Sequence, residues 1–142
     1  MYRFHQFKIC IYNLLGPINN VRVNSDTVTF VWQPSVNAQS YNLVISPNAN
    51  LSSPLFNQNV GNVTSYQYTF SQDYSAVYWQ VTAINDVGQT TSDITPFGID
   101  RVPPTASVTA LPAKTTDTTF TITWSGSDND AGIEWYNIQY RE

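Results

Sequence analysis

Asp128-Asn129-Asp130-Ala131-Gly132 is where side chains able to do chemistry stand closest together in this chain. Oxygen donors alternate along it and a glycine follows. A hard cation such as calcium uses that pattern when several oxygens must converge on a sharp turn, and the loop then closes on a bidentate acid at its twelfth position. Counted from Asp128, that position is Gln139, so the closing ligand is missing. The competing reading is a turn in which Asp128 and Asp130 bond to nearby backbone N–H groups. Calcium on Asp128 and Asp130 is the one cofactor the residues suggest; otherwise none is expected.

Two aromatic rings form the second constellation. Tyr78 and Trp135 fall on the outward side of alternating patterns, among Asn and Gln. Such rings can stack on sugars or pack on a neighbouring module, since each joins an apolar body to a polar tip. They are the candidate ligand-binding residues. Catalysis has less to draw on. His5 is the chain's single histidine and Cys10 its single cysteine. No HExxH, GxSxG, CxxC or glycine-rich phosphate loop occurs, and the ten acids are spread over turns. No catalytic residue is assigned, and an enzyme is not expected. Asn50-Leu51-Ser52 and Asn62-Val63-Thr64 match the glycan-acceptor triplet, which arises readily by chance in an Asn- and Thr-rich chain.

Composition narrows the class. At 142 residues the chain has room for one domain and part of another. Apolar residues make up 42%, enough for a packed core, whereas charged residues are only 11%, so Ser, Thr, Asn and Gln must carry solubility. The wealth of Thr and aromatic residues favours strands. A net charge of −4 argues against a nucleic-acid partner, which would need a basic stripe. One cysteine excludes an intrachain disulfide. No apolar run reaches the roughly 20 residues a membrane helix needs, so no membrane insertion is expected.

Residues 1–16 read as an atypical leader, with Arg3 and Lys8 but no acid. Ile9 to Leu15 could be the core of a secretory signal, yet Asn13 interrupts it and Gly16-Pro17 is a poor cleavage site. A stray strand with Phe7, Ile9 and Ile11 on one face is the blander alternative. From residue 17 onward the period is two, the strand signature. Ile18 to Asn24 is a candidate strand. Asp26 to Gln33 sends Val28, Phe30 and Trp32 inward and stops at Pro34. Ser40 to Ser46 does the same with Tyr41, Leu43 and Ile45. Leu55 to Val60 reads as an edge, and Thr64 to Phe70 groups Tyr66, Tyr68 and Phe70. Val77, Trp79, Val81 and Ala83 define an inward face, Asn85-Asp86-Val87-Gly88 a turn, and Gln89 to Phe97 a last strand. Seven strands at this spacing predict an all-β antiparallel sandwich.

Trp32-Gln33-Pro34 with Tyr41, and Val81-x-Ala83-x-Asn85-x-x-Gly88, resemble the two signature stretches of a fibronectin type III domain over residues 17–98. The resemblance implies that Trp32 and Tyr41 are core partners. Val77 departs from the pattern, because the family commonly has tyrosine six positions before this alanine. Related immunoglobulin-like sandwiches therefore stay open. An internal repeat follows a proline-containing linker at 99–105. Phe120, Ile122 and Trp124 echo Val28, Phe30 and Trp32, while Tyr136, Ile138 and Tyr140 echo Tyr41, Leu43 and Ile45. Residues 106–142 thus resemble the first three strands of a second, truncated module of the same sandwich family, of the bacterial surface-protein type.

These features imply a non-catalytic extracellular spacer or adhesion module of a larger surface or secreted protein, bacterial in type. Its expected partners are neighbouring sandwich modules, another protein or a polysaccharide. The alternative is a carbohydrate-binding accessory module of a secreted glycoside hydrolase.

Overall fold

The computed structural model describes residues 13–111, 118–130 and 132–139. His5, Cys10, the Phe7/Ile9/Ile11 face, Ala131 and Tyr140 lie outside them. The chain divides into two compact units, Met1–Arg101 and Val102–Glu142.

Every regular element among the described residues is a strand. Unit 1 holds β1 (Leu14–Gly16), β2 (Arg22–Val23), β3 (Thr27–Trp32), β4 (Ser40–Ser46), β5 (Phe56–Gly61), β6 (Ser65–Thr69), β7 (Tyr74–Asn85), β8 (Gly88–Thr91) and β9 (Thr95–Ile99). They form two sheets, one in the order β1-β3-β6 and one in the order β2-β9-β7-β4-β5, with β8 alongside β7. β1 and β2 are successive pieces of one strand path that leaves the first sheet for the second. β8 and β9 are likewise two pieces of one path, both paired to β7. Counted as paths, the described residues of unit 1 form a sandwich of seven strands, antiparallel except where β2 meets β9, as the alternation predicted.

The core follows from parity. Val28, Phe30 and Trp32 of β3 face Tyr41, Leu43 and Ile45 of β4 and Val77, Trp79, Val81 and Ala83 of β7, all buried. Phe30 meets Trp79 and Phe97 edge to face, at 5.0 and 5.7 Å between centroids, and Trp32 meets Tyr41 at 5.6 Å with the rings tilted. Such contacts add about 0.5–1.5 kcal/mol each beyond the area they bury. The Trp32–Tyr41 partnership implied by the family resemblance is present. Val77 is fully buried, which is how the departure from tyrosine is accommodated: an aliphatic side chain packs in the core where a phenol would have needed a hydrogen-bond partner. The Tyr41 hydroxyl accepts from the buried Ser35 N–H at 2.8 Å and holds the β3–β4 connection to the core.

Three expected boundaries move. The leader 1–16 overlaps the sandwich, because Leu14–Gly16 is its first strand, set opposite Trp32 and Val31. Alternation over three residues is too short to read, and pairing with β3 is what makes this segment a strand. Ile18 to Asn24 was expected as one strand, but Asn19 and Asn20 take left-handed conformations (φ 59 and 58), so the chain turns there and only Arg22–Val23 pairs, parallel to β9. The linker expected at 99–105 loses both ends: Ile99 is buried in β9 and Thr105 opens a strand of unit 2.

Unit 2 contains β10 (Thr105–Val108) and β11 (Trp124–Ser127), paired antiparallel. The repeat predicted a strand ending at Trp124; instead Trp124 begins one, opposite Val108. Residues 132–139 hold no regular strand, so the described part of this unit is a two-stranded ladder where three strands were expected. The hydrogen bonds that would make the third strand regular come from neighbours, and the period-2 pattern of Tyr136 and Ile138 cannot supply them.

Candidate functional site

The outward face of the β9-β7-β4-β5 sheet carries Tyr78, the first predicted ligand-binding residue. Parity sends its ring away from the core, because Val77 and Trp79 on either side are fully buried. In the ladder it stands between Ser46 of β4 and Pro96 of β9, and it is half-buried. Polar side chains farther along the same sheet bond to one another or to backbone. Asn42 Nδ2 donates to Asn57 Oδ1 at 2.9 Å, and Asn59 Nδ2 to Ser40 Oγ at 2.9 Å. Gln80 Nε2 donates to the Ser92 carbonyl at 2.8 Å. The Thr82 and Thr91 hydroxyls share a bond of 3.1 Å. The face is therefore a set of cross-strand amide and hydroxyl pairs, which stabilise the sheet and leave fewer donors aimed outward at a sugar.

Trp135, the second predicted ligand-binding residue, belongs to unit 2 and is 71% exposed. The two rings lie in different units, and each stands as a separate surface feature.

Asp128 and Asp130 lie in the loop that follows β11. Asp128 Oδ1 accepts from Asp130 N at 3.0 Å and from Gly132 N at 2.9 Å. One carboxylate oxygen thus organises the turn, with Gly132 at φ 79, a left-handed conformation that suits glycine. The geometry is that of an Asx-type turn. Among the described residues no group of three or more His, Cys, Asp or Glu is placed to hold a metal ion.

Two features escaped sequence reasoning. A cleft of about 230 Å³ lies where β1 begins and the β8–β9 path breaks, lined by Asn13, Leu14, Ile18, Asn19, Ser92, Asp93 and Thr95. Its one carboxylate and small amides do not converge on a reactive group. The break exists because Ser92 turns its hydroxyl onto Val81 N at 3.1 Å and so replaces a ladder partner with a side chain; no local signal in Thr-Ser-Asp announces it. The second feature is Arg22, whose guanidinium lies across Gly98 and donates to the Ser75 carbonyl. Near it, Arg101 Nε donates to Asp73 Oδ1. That bond holds the Asp73 carboxyl below its ordinary pKa.

No family model and no curated protein matches this chain. A solved structure titled "Crystal Structure of FN3tt" is similar to it, at 18% identity and a TM-score of 0.42, covering 58% of this chain and 87% of that one. At that score the likeness carries no weight, and the assignments here rest on strand order and packing. Those define an all-β sandwich, with no helix among the described residues that could cross a membrane.

Proposed function

We propose that the chain is a non-catalytic segment of a larger extracellular protein, with unit 1 a domain of the fibronectin type III kind that serves as a spacer or adhesion element. One observation carries this reading: the first described strand of unit 1 starts, and its last strand ends, at opposite ends of the sandwich. Leu14 lies opposite Trp32, at the end where β3 turns into β4. Ile99 lies beside Val23 and opposite Tyr74, at the other end. Between them β7 runs for 12 residues, roughly 40 Å at the rise of an extended strand. A domain threaded in this way adds its full height to the chain that contains it, as a spacer must. A hydrolytic domain instead needs convergent acid and base groups, and the side chains of the outward sheet face are engaged in pairing with one another. The extracellular, bacterial-surface setting rests on the resemblance of residues 103–140 to surface-protein modules, and its partners would be neighbouring sandwich modules.

The carbohydrate-binding alternative draws support from the exposure of Trp135. A glycan array probed with the full chain, with Y78A and W135A as controls, separates the two. The spacer reading expects no saturable signal on any polysaccharide. Binding that either substitution abolishes would overturn it in favour of an accessory carbohydrate-binding module.

A further inference from the structure

β5 and β6 are edge strands of the two sheets of unit 1. The orders β1-β3-β6 and β2-β9-β7-β4-β5 leave each of them with one paired flank among the described residues. The two edges are neighbours, since the Phe56 ring of β5 lies 4.9 Å from Tyr66 and 5.6 Å from Tyr68 of β6 between centroids. An open edge invites a strand from another chain, and natural proteins block it with charge, proline, a bulge or a covering element. Charge is missing here: no Asp, Glu, Lys, Arg or His stands between Asp26 and Asp73, a stretch that includes both edge strands and their connection. Proline is missing as well from Phe56 through Thr69. β5 ends in a register shift against β4, but β6 pairs with β3 in unbroken register.

The connection between these edges carries the acceptor triplet Asn62-Val63-Thr64. All three residues are exposed. Asn59 Oδ1 accepts from Gly61 N at 2.9 Å just before the triplet, and the Thr64 carbonyl accepts from Trp32 N at 3.0 Å at its far end. Between these anchors the Asn62 amide and the Thr64 hydroxyl have no hydrogen-bond partner among the described residues. The triplet at Asn50 is built differently. Asn50 Oδ1 accepts from Ser52 N at 3.1 Å, and Leu51 between them has φ 58. The Ser52 carbonyl accepts from the buried Ser46 hydroxyl and from Asn48 Nδ2. Its polar groups hold a turn together, whereas those of Asn62 and Thr64 hold nothing.

We infer that Asn62 is an N-glycosylation site whose glycan guards the β5 and β6 edges. The donor is a lipid-diphosphate-linked oligosaccharide, delivered by a transferase of the export pathway. Asn62 Nδ2 attacks C1 of the first sugar; the C1–O bond to the diphosphate breaks, a C1–Nδ2 bond forms, the amide gives up one proton and the lipid diphosphate leaves. A glycan is bulky and solubilising, so at the junction of the two edges it obstructs an incoming strand where neither charge nor proline does. This step needs only the export that the proposed function includes, and nothing in it depends on the bacterial setting.

The test is the full chain sent through a eukaryotic secretory pathway by an added export signal, which keeps the chain's own destination from deciding the result. Peptide N-glycosidase in heavy-oxygen water marks each occupied asparagine as a labelled aspartate. The label is expected on Asn62, lost in T64A and kept in T64S, because a hydroxyl at this position completes the triplet. Light scattering is expected to report monomers for the glycoprotein and for T64S at concentrations where T64A associates. The unsubstituted chain made without export carries no glycan and should associate as T64A does, which separates the glycan from the substitution. Asn62 without label, or glycan-free chain that associates no more than the glycoprotein, overturns the inference.

Discussion

Trp32 and Trp79 occupy matching positions in the core and differ in one hydrogen bond, so replacing each with phenylalanine isolates that bond. Both side chains are essentially unexposed, at 1% and 0%, and each meets one aromatic partner between 5.0 and 5.6 Å. The volume lost is the same in the two variants and costs about 1–2 kcal/mol, a fraction of the 3–5 typical for truncating a tryptophan to alanine. The polar terms have opposite signs. Trp79 Nε1 donates to the carbonyl of the buried Pro17 at 2.8 Å. Trp79→Phe removes that bond and strands its acceptor, at a further cost of about 1–3 kcal/mol. Trp32 Nε1 is buried with no partner among the described residues. Trp32→Phe removes an unpaired donor and regains about 1–3 kcal/mol. The expected result is a loss of about 2–5 kcal/mol for W79F and near zero for W32F, a gap of about 2–6 kcal/mol because the shared volume cost cancels. Urea unfolding followed by far-UV circular dichroism measures both, with unchanged m-values confirming that the denatured state is the same. Equal losses, or a larger loss for W32F, would refute the assignment of that bond.

Two more predictions follow from the packing. A Cβ at Gly98 would fall on Arg22 Nη1 and within 2.8 Å of Arg22 Cδ, so G98A should displace the guanidinium from the Ser75 carbonyl and cost about 1 kcal/mol. The same substitution should be nearly neutral in an R22A background, and a thermal-melt double-mutant cycle showing no coupling would reject the contact. The Asp73 carboxyl is held below its ordinary pKa by the Arg101 hydrogen bond. Its stabilising contribution is therefore complete above about pH 4, where the unfolded-state carboxyl is ionised, and is lost as pH falls through the lower folded value. The melting-temperature gap between the wild type and D73N should close on acidification and shrink with added salt; a gap that widens at low pH would contradict the sign.

Legibility in the sequence tracked the range of the interaction. Val28, Phe30, Trp32, Tyr41, Leu43, Ile45, Val77, Trp79, Val81 and Ala83 were read as inward from alternation alone, and all are buried. Side-chain parity is local, so a run of six or more residues reveals its buried face without a partner. The same rule placed Tyr78 outward. It did not reveal that amides of the same sheet are already engaged, Asn42 with Asn57 across strands and Gln80 with the Ser92 carbonyl, because such partners are brought together only by the fold. Nor could it locate β1, where three residues become a strand only by pairing with β3.

In unit 2 the local signal and the outcome part company. Phe120, Ile122 and Trp124 alternate as well as their counterparts in unit 1, yet the ladder begins at Trp124 and the pattern at Tyr136 and Ile138 forms no strand. Alternation specifies which face a residue would present if its backbone were paired, and pairing depends on neighbouring strands that satisfy N–H and C=O groups. The amino-acid sequence by itself determined the class of fold, the core of unit 1 and the outward direction of its candidate ring. Only the tertiary structure decided where strands begin and end and which polar groups are already engaged, because each of these depends on partners distant in the chain.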